Sequence, residues 1–337
     1  MEPRESVTRL TGTRLGAVVA AAALLFGTFT TYEHMTARGK AYFEKGGNQQ
    51  TFDQAVLDGH GGSPYQYRLL TPYVSELARR SFEALGVEDY VLVSFVVLRV
   101  LADVAIFLLA FPYFRALGLP ASHAFIGMSL LAWGMSHSHL DSSLHLDTYL
   151  EISLYLLTGL CILRERYVWV VPIALVGALN RETSGLIPVL LLAGFVYRSG
   201  SKPSFALTRS EWALVAAAFG AYFAVFIGLR LAFGEQPMAI PYGHPPGLDL
   251  FQYNALRVTT WMQLFATLGI LPVLALAGYR RWPQKLRVFA WVVVPVWVVV
   301  HLFGAVLAEA RLMLVPQALV FVPGALFLVR GDSAGTR

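Results

Sequence analysis

Long apolar runs recur along the chain, and short polar segments separate them. They cover about 14–34, 90–114, 120–138, 147–163, 167–180, 185–197, 211–233, 258–279, 288–307 and 311–330. The runs do not alternate apolar with polar positions as barrel strands do, so they predict helices. Several reach the roughly 20 residues that a helix needs to cross about 30 Å of hydrocarbon. The predicted fold is all-α: a polytopic integral membrane bundle of about ten transmembrane helices, with 1–337 as a single transmembrane domain. The run at 14–34 follows a basic segment as in a signal peptide, but no small-x-small site follows it, so it reads as an uncleaved first span.

Two stretches break the pattern. In ALNRETSGLIP, Asn180, Arg181 and Glu182 interrupt apolar sequence. In TPYVSELARRSFEAL, the apolar positions Val74, Leu77, Ala78, Phe82 and Leu85 fall on one helical face. The second stretch predicts a helix at 71–85, capped by Thr71 with Pro72 at its first position, lying along the membrane interface.

Composition agrees with a membrane protein. Hydrophobic residues make up 56% and charged residues 14%, with a mean hydropathy of +0.57. Soluble domains carry about 25% charged residues. The net charge of +5 reports topology rather than a nucleic-acid surface, because its cations sit in short loops. The terminal tails and the loops RALGLP, RERY, RSGSKPSFALTRS and RRWPQKLR hold 15 of the 26 Lys and Arg. By the positive-inside rule these belong on one side, with both termini cytoplasmic and the bacterial inner membrane as the setting. They share a side only if 167–197 crosses twice. NRETS is then the tip of a hairpin. Each arm has about 14 residues, or about 20 Å, so the tip is recessed. The stretch 35–89 becomes the first extracytoplasmic loop. Cys161 is the single cysteine, which excludes a disulfide framework and a thiolate metal site.

Sorting ionisable residues by side gathers most of the carboxylates and histidines at the outer end. Ionisable groups at membrane depth are costly and mark cavities or pairs. Asp53 and Asp58 in the first loop are candidate general bases. Tyr67 and Arg68 precede the interfacial helix, where the arginine would reach a lipid head group or a substrate phosphate. Asp141, His145 and Asp147 lie in WGMSHSHLDSSLHLDTYLE. If that stretch were helical, His137, Asp141 and His145 would form one stripe, and Asp147 with Glu151 an i, i+4 pair able to accept Mg²⁺ or Mn²⁺. The spacing matches no standard metal motif, so no metal ligand is assigned. Arg181, beside the N-terminus of the following helix with Thr183 or Ser184 as its cap, suits a phosphate, with Asn180 and Glu182 alongside. Glu309 and Arg311 mark the last outer turn. Arg99 and Asp103, i and i+4 within the second run, read as a buried ion pair.

The strings YQYRLLTP, LDTYLE, NRETSGLIP and EARLMLVP, with this architecture, resemble bacterial members of the GT-C glycosyltransferase superfamily. The resemblance implies transfer of a sugar from a polyprenyl-phosphate donor to an extracytoplasmic acceptor. An acid of the first outer loop, Asp53 or Asp58, would be the base, Arg181 and Arg311 would hold the lipid phosphate, and a divalent ion is common. The chain departs from the family in having no adjacent acidic pair early in that loop; Glu88–Asp89 comes only at its end. Two other classes remain open at this stage: a transporter or flippase, and a non-enzymatic membrane assembly protein.

Overall fold

The structure is a computed structural model that describes residues 12–198 and 202–330. Arg4, Arg9 and Arg337, which entered the charge argument, lie outside the described residues. Among the described residues the chain is all-helical with no strand; a lone parallel bridge joins Ser63 and Met238.

The helices are α1 (Gly12–Arg38), α2 (Asn48–Leu57), α3 (Leu70–Ala84), α4 (Tyr90–Ala116), α5 (Ala121–His137), α6 (Leu146–Leu163), α7 (Val170–Asn180), α8 (Leu186–Val196), α9 (Arg209–Phe233), α10 (Leu248–Leu256), α11 (Val258–Leu268), α12 (Leu271–Ala277), α13 (Gln284–Gly304) and α14 (Ala310–Val329). Among the described residues, six of them (α1, α4, α6, α9, α13 and α14) are long and apolar enough to cross a membrane. The pair α11–α12 passes jointly but bends by 66° at Gly269, whose φ is +54°. The other expected crossings are helical but shorter: α5 has 17 residues, and α7 and α8 have 11 each. At 1.5 Å per residue an 11-residue helix is about 16 Å long, well short of the hydrocarbon.

Helices α6 and α14 form the centre, with 72% and 83% of their apolar windows buried, whereas α9 has only 17% buried and turns its apolar side outward. As expected, an ion pair is buried within α4: Arg99 Nε lies 3.2 Å from Asp103 Oδ2, both fully buried. Thr30 and Thr31 of α1 donate to the same carboxylate, and the Arg99 guanidinium sits over the Tyr149 ring of α6. Three helices are thereby locked in register around a charge that could not stand alone in an apolar interior.

Contacts sort the connections into two ends. At one end, Arg38 at the end of α1 donates to Ser142 before α6, Asn180 at the end of α7 donates to the Asp147 carbonyl, and Gly247 N–H donates to the Phe303 carbonyl of α13. At the other, Arg198 meets Glu211, Lys285 Nζ donates to Gly194 O, and Arg330 donates to Gly118 O. Helices α7 and α8 form a hairpin with its tip at the first end, where Gly177 is close-packed on Ser184; a Cβ there would lie 2.8 Å from Ser184 Cβ.

Helix α3 differs from expectation at its start. It begins at Leu70 with Leu69 as N-cap, and Thr71 is buried rather than capping. Its faces are inverted relative to a soluble helix. Tyr73, Leu77 and Leu85 are exposed, while Thr71, Pro72 and Arg79 are buried. Of the expected stripe, Leu77 and Leu85 are exposed and Val74, Ala78 and Phe82 half-buried, so its apolar side is turned partly away from the protein.

Candidate functional site

The polar end gathers three arginines from distant parts of the chain. Arg68 follows a short turn at Tyr65–Tyr67. Arg181 leaves α7 in extended conformation, and Arg311 opens α14. All three meet Asp147, at the second position of α6. Arg68 Nη1 lies 3.2 Å from Asp147 Oδ2, Arg181 Nε 3.7 Å from the same atom, and Arg311 Nη1 3.6 Å from Oδ1. The guanidiniums of Arg181 and Arg311 both donate to Thr148 Oγ1.

Each arginine has a second carboxylate. Arg68 is held by Glu182 at 3.0 Å, Arg181 by Glu151 at 3.2 Å, and Arg311 by Glu309 at 2.7 Å. Burial works against the Arg68 charge, yet Glu182 and Asp147 hold its pKa above the ordinary value. Glu151 is also the acceptor for Thr183 Oγ1–H, and Tyr155 and Tyr222 donate to the carbonyls of Thr183 and Glu182. The hairpin tip is thus fixed by its own backbone. Neither proposed cap operates: Ser184 Oγ donates back to Arg181 O, and α8 starts at Leu186 with Gly185 as its N-cap and no side-chain cap.

The three arginines line a cavity of about 240 Å³. Its other walls are mostly apolar: Tyr65, Met238, Ala239, Val306 and Leu312, with Pro64, Pro241 and Pro246. Residues 234–247 form a strap over it, fastened where Ser63 N–H donates to Pro237 O and Ala239 N–H to Ser63 O, both at 2.8 Å. Tyr67 does not line the cavity; its hydroxyl donates to Gly234 O and anchors the segment carrying Arg68. Glu309, with 19% of its side chain exposed, is the carboxylate in the wall. Beneath, Asn254 is fully buried, donating to Leu302 O and Ala305 O and accepting from Leu307 N–H. It fixes the turn that presents Glu309 and Arg311.

The other candidates lie elsewhere. Asp53 is buried on α2, 2.9 Å from Arg79 of α3, and lines a separate small cavity with Gln49 and Ser75. Burial raises its pKa to about 6, with Arg79 opposing the rise. Gln49 links it to His145 at 3.3 Å, and Phe52 stacks on that imidazole at 3.8 Å. Asp58 is exposed, the C-cap of α2; its Oδ1 accepts from the Gln54 side-chain amide, and its backbone N–H donates to Gln54 O and Val56 O. Neither acid lines the arginine cavity. Asp141 pairs with Arg257 at 3.0 Å and accepts from Tyr242. The expected stripe of His137, Asp141 and His145 does not form, because α5 ends at His137 and Asp141 and Leu144 have φ of +49° and +55°. Asp147 and Glu151 face arginines, and no group of three or more metal-ligating side chains occurs among the described residues.

Sequence reasoning missed Arg79 as the partner of Asp53, Thr148 as the shared acceptor, and Asn254. Arg79 carried a signal, since it sits opposite the apolar stripe of its helix. No family model matches the chain, and no curated protein or solved structure matches it. Function is therefore argued from the site itself.

Proposed function

We propose that the protein is a membrane glycosyltransferase that moves a sugar from a polyprenyl-phosphate donor to an extracytoplasmic acceptor. The observation that carries this reading is the convergence of Arg68, Arg181 and Arg311 on one cavity with apolar walls. Guanidiniums recognise phosphate through paired donors, and the apolar walls suit the start of a lipid chain. In this reading all ten helical segments traverse the bilayer or its interface. The polar end faces outward by the charge bias of the loops, and the hairpin tip is recessed.

The site carries three arginines against Asp147, Glu151, Glu182 and Glu309. Asp147 and Glu151 are buried and orient the guanidiniums. Glu182 and Glu309 have 25% and 19% of their side chains exposed and are the partners that a phosphate displaces. Glu309, released from Arg311, replaces Asp53 and Asp58 as the general base, since it reaches the cavity and they do not. It takes the proton of the acceptor hydroxyl as that oxygen bonds to the anomeric carbon. The bond from that carbon to the phosphate oxygen breaks, and its electron pair leaves with the polyprenyl phosphate. The arginines stabilise the growing phosphate charge.

The test is release of polyprenyl phosphate by purified protein from a panel of polyprenyl-phosphate sugars. Glu309→Gln should lose release while retaining donor binding, and Arg181→Ala should lose both. Release that survives in both variants refutes the assignment. Donor binding with movement across liposomes and no release favours the flippase reading.

A further inference from the structure

A second cavity, of about 370 Å³, lies at the opposite end of the bundle, between the end of α8, the α12–α13 turn and the first turns of α13. Tyr197, Tyr279, Gln284, Arg287 and Trp291 line it, with Val288 and Val292 below. This is the RRWPQKLR segment, with cations at Arg280, Arg281, Lys285 and Arg287. Two of these are engaged with helix ends: Arg281 Nη1 donates to Leu328 O at 2.7 Å, and Lys285 Nζ to Gly194 O at 2.8 Å. Such carbonyls at helix C-termini attract cations. Arg280 is exposed. Arg287 is the cation of the cavity wall.

Arg287 differs from the arginines of the first site. Those are met by carboxylates, whereas no Asp or Glu pairs with Arg287 among the described residues or lines this cavity. Its Nη2 donates to Arg280 O at 2.7 Å, its guanidinium lies 5.3 Å from the Tyr279 ring centroid, and its buried Nε has no hydrogen-bond partner. A half-buried guanidinium with no carboxylate partner calls for an anion. The setting narrows which anion. Trp291 is 68% exposed and donates its indole N–H to the Oη of the half-buried Tyr279 at 2.8 Å, so an exposed indole and a phenol lie together at the basic end. Such rings anchor at the membrane interface, and basic pockets between helices at that level take lipid head groups.

We propose that this cavity binds the phosphodiester of an anionic membrane phospholipid, with Arg287 donating to the phosphate oxygens and the acyl chains running down past Val288, Val292 and Trp291. The site is separate from the arginine cavity and does not depend on the glycosyltransferase reading.

The test uses full-length protein in a neutral detergent, with thermal melting followed by tryptophan fluorescence and retained lipid counted by native mass spectrometry. The probes are phosphatidylglycerol, phosphatidylcholine and glycerol 3-phosphate. Phosphatidylglycerol should raise Tm by several degrees and leave one retained lipid, and the other two should not. Arg287→Gln should weaken this about tenfold or more, about 1.4 kcal/mol, while Arg280→Gln should leave it intact. If Arg287→Gln does not fold, Gln284→Glu, which puts a carboxylate in the wall, must abolish retention. Equal stabilisation by phosphatidylcholine, or retention unchanged in Arg287→Gln or in Gln284→Glu, overturns the proposal. Stabilisation by glycerol 3-phosphate but not by the lipid also overturns it and identifies a soluble phosphoester as the ligand.

Discussion

Replacing Arg79 with leucine distinguishes a structural Asp53 from a catalytic one. The two side chains are 6% and 3% exposed and 2.9 Å apart. Arg79→Leu leaves a buried carboxylate whose remaining donors are the Gln49 amide and the Ser75 hydroxyl. Breaking a buried pair from one side costs about 3–5 kcal/mol. In Tm that is roughly 4–7 °C for a chain of this size, at about 2.1 cal/mol/K of unfolding entropy per residue. Asp53→Asn is milder, because Arg79 keeps Glu76 at 3.0 Å; losing one charged hydrogen bond costs about 2 kcal/mol. The double variant should be more stable than Arg79→Leu alone, since no charge is stranded. Acidity adds a second signature. Burial raises the folded pKa of Asp53 from 3.8 to about 6. A raised carboxyl favours the folded state below pH 3.8, and that stabilisation, roughly 3 kcal/mol at most, is lost as pH rises through about 6. Arg79→Leu should therefore be less damaging at pH 5 than at pH 7.5. Melting of the four proteins at both pH values, beside the donor-release assay, decides the matter. An Asp53→Asn protein that melts like wild type yet releases nothing would place Asp53 at the reacting hydroxyl and refute this reasoning.

Three further outcomes follow. Burial, then Arg311, pushes the His145 pKa down to about 3, so its contribution is full above pH 6.5 and is lost as pH falls; this opposes Asp53, and His145→Gln should make the protein gain Tm between pH 6.5 and 4.5 relative to wild type. Asn254→Ala leaves the Leu302 and Ala305 carbonyls and the Leu307 N–H unpaired, so Tm should fall by an amount equivalent to about 1–3 kcal/mol, with donor release reduced further because Glu309 loses its support; release unchanged at lowered Tm would remove Asn254 from the positioning of the site. Gly324→Ala places a Cβ 2.5 Å from Trp282 Cζ2, while Trp282 Nε1 is tied to Gly324 O, so overpacking should cost about 1–3 kcal/mol; an unchanged Tm would refute the α12–α14 packing.

The helices were legible because a bilayer demands that the backbone satisfy itself, which leaves long apolar runs with little ambiguity. The hairpin at 167–197 was legible for a different reason: cationic loops must alternate with the polar end, and Arg181 could join Asp147 only if the chain turned back at NRETS. That logic assigns residues to an end but not to partners. It placed Arg68, Asp147, Arg181, Glu182, Glu309 and Arg311 together, and they do meet. It also placed Asp53 there, and Asp53 went to Arg79. The reason lies in α3. At a membrane surface the apolar stripe faces lipid, so the opposite, polar face is the one that packs on protein. Arg79 lies on that face, and an arginine packing inward needs a buried acid within reach. Asp53, on the adjoining α2, is that acid. The periodicity that predicted the helix thus also carried the information that Asp53 would meet Arg79, once the direction of the stripe was taken into account. The loop 138–145 carried no comparable signal. It follows α5 with SHLDSSLH, too polar to continue an apolar face, and its turns at Asp141 and Leu144 separate residues that helical spacing would have stacked.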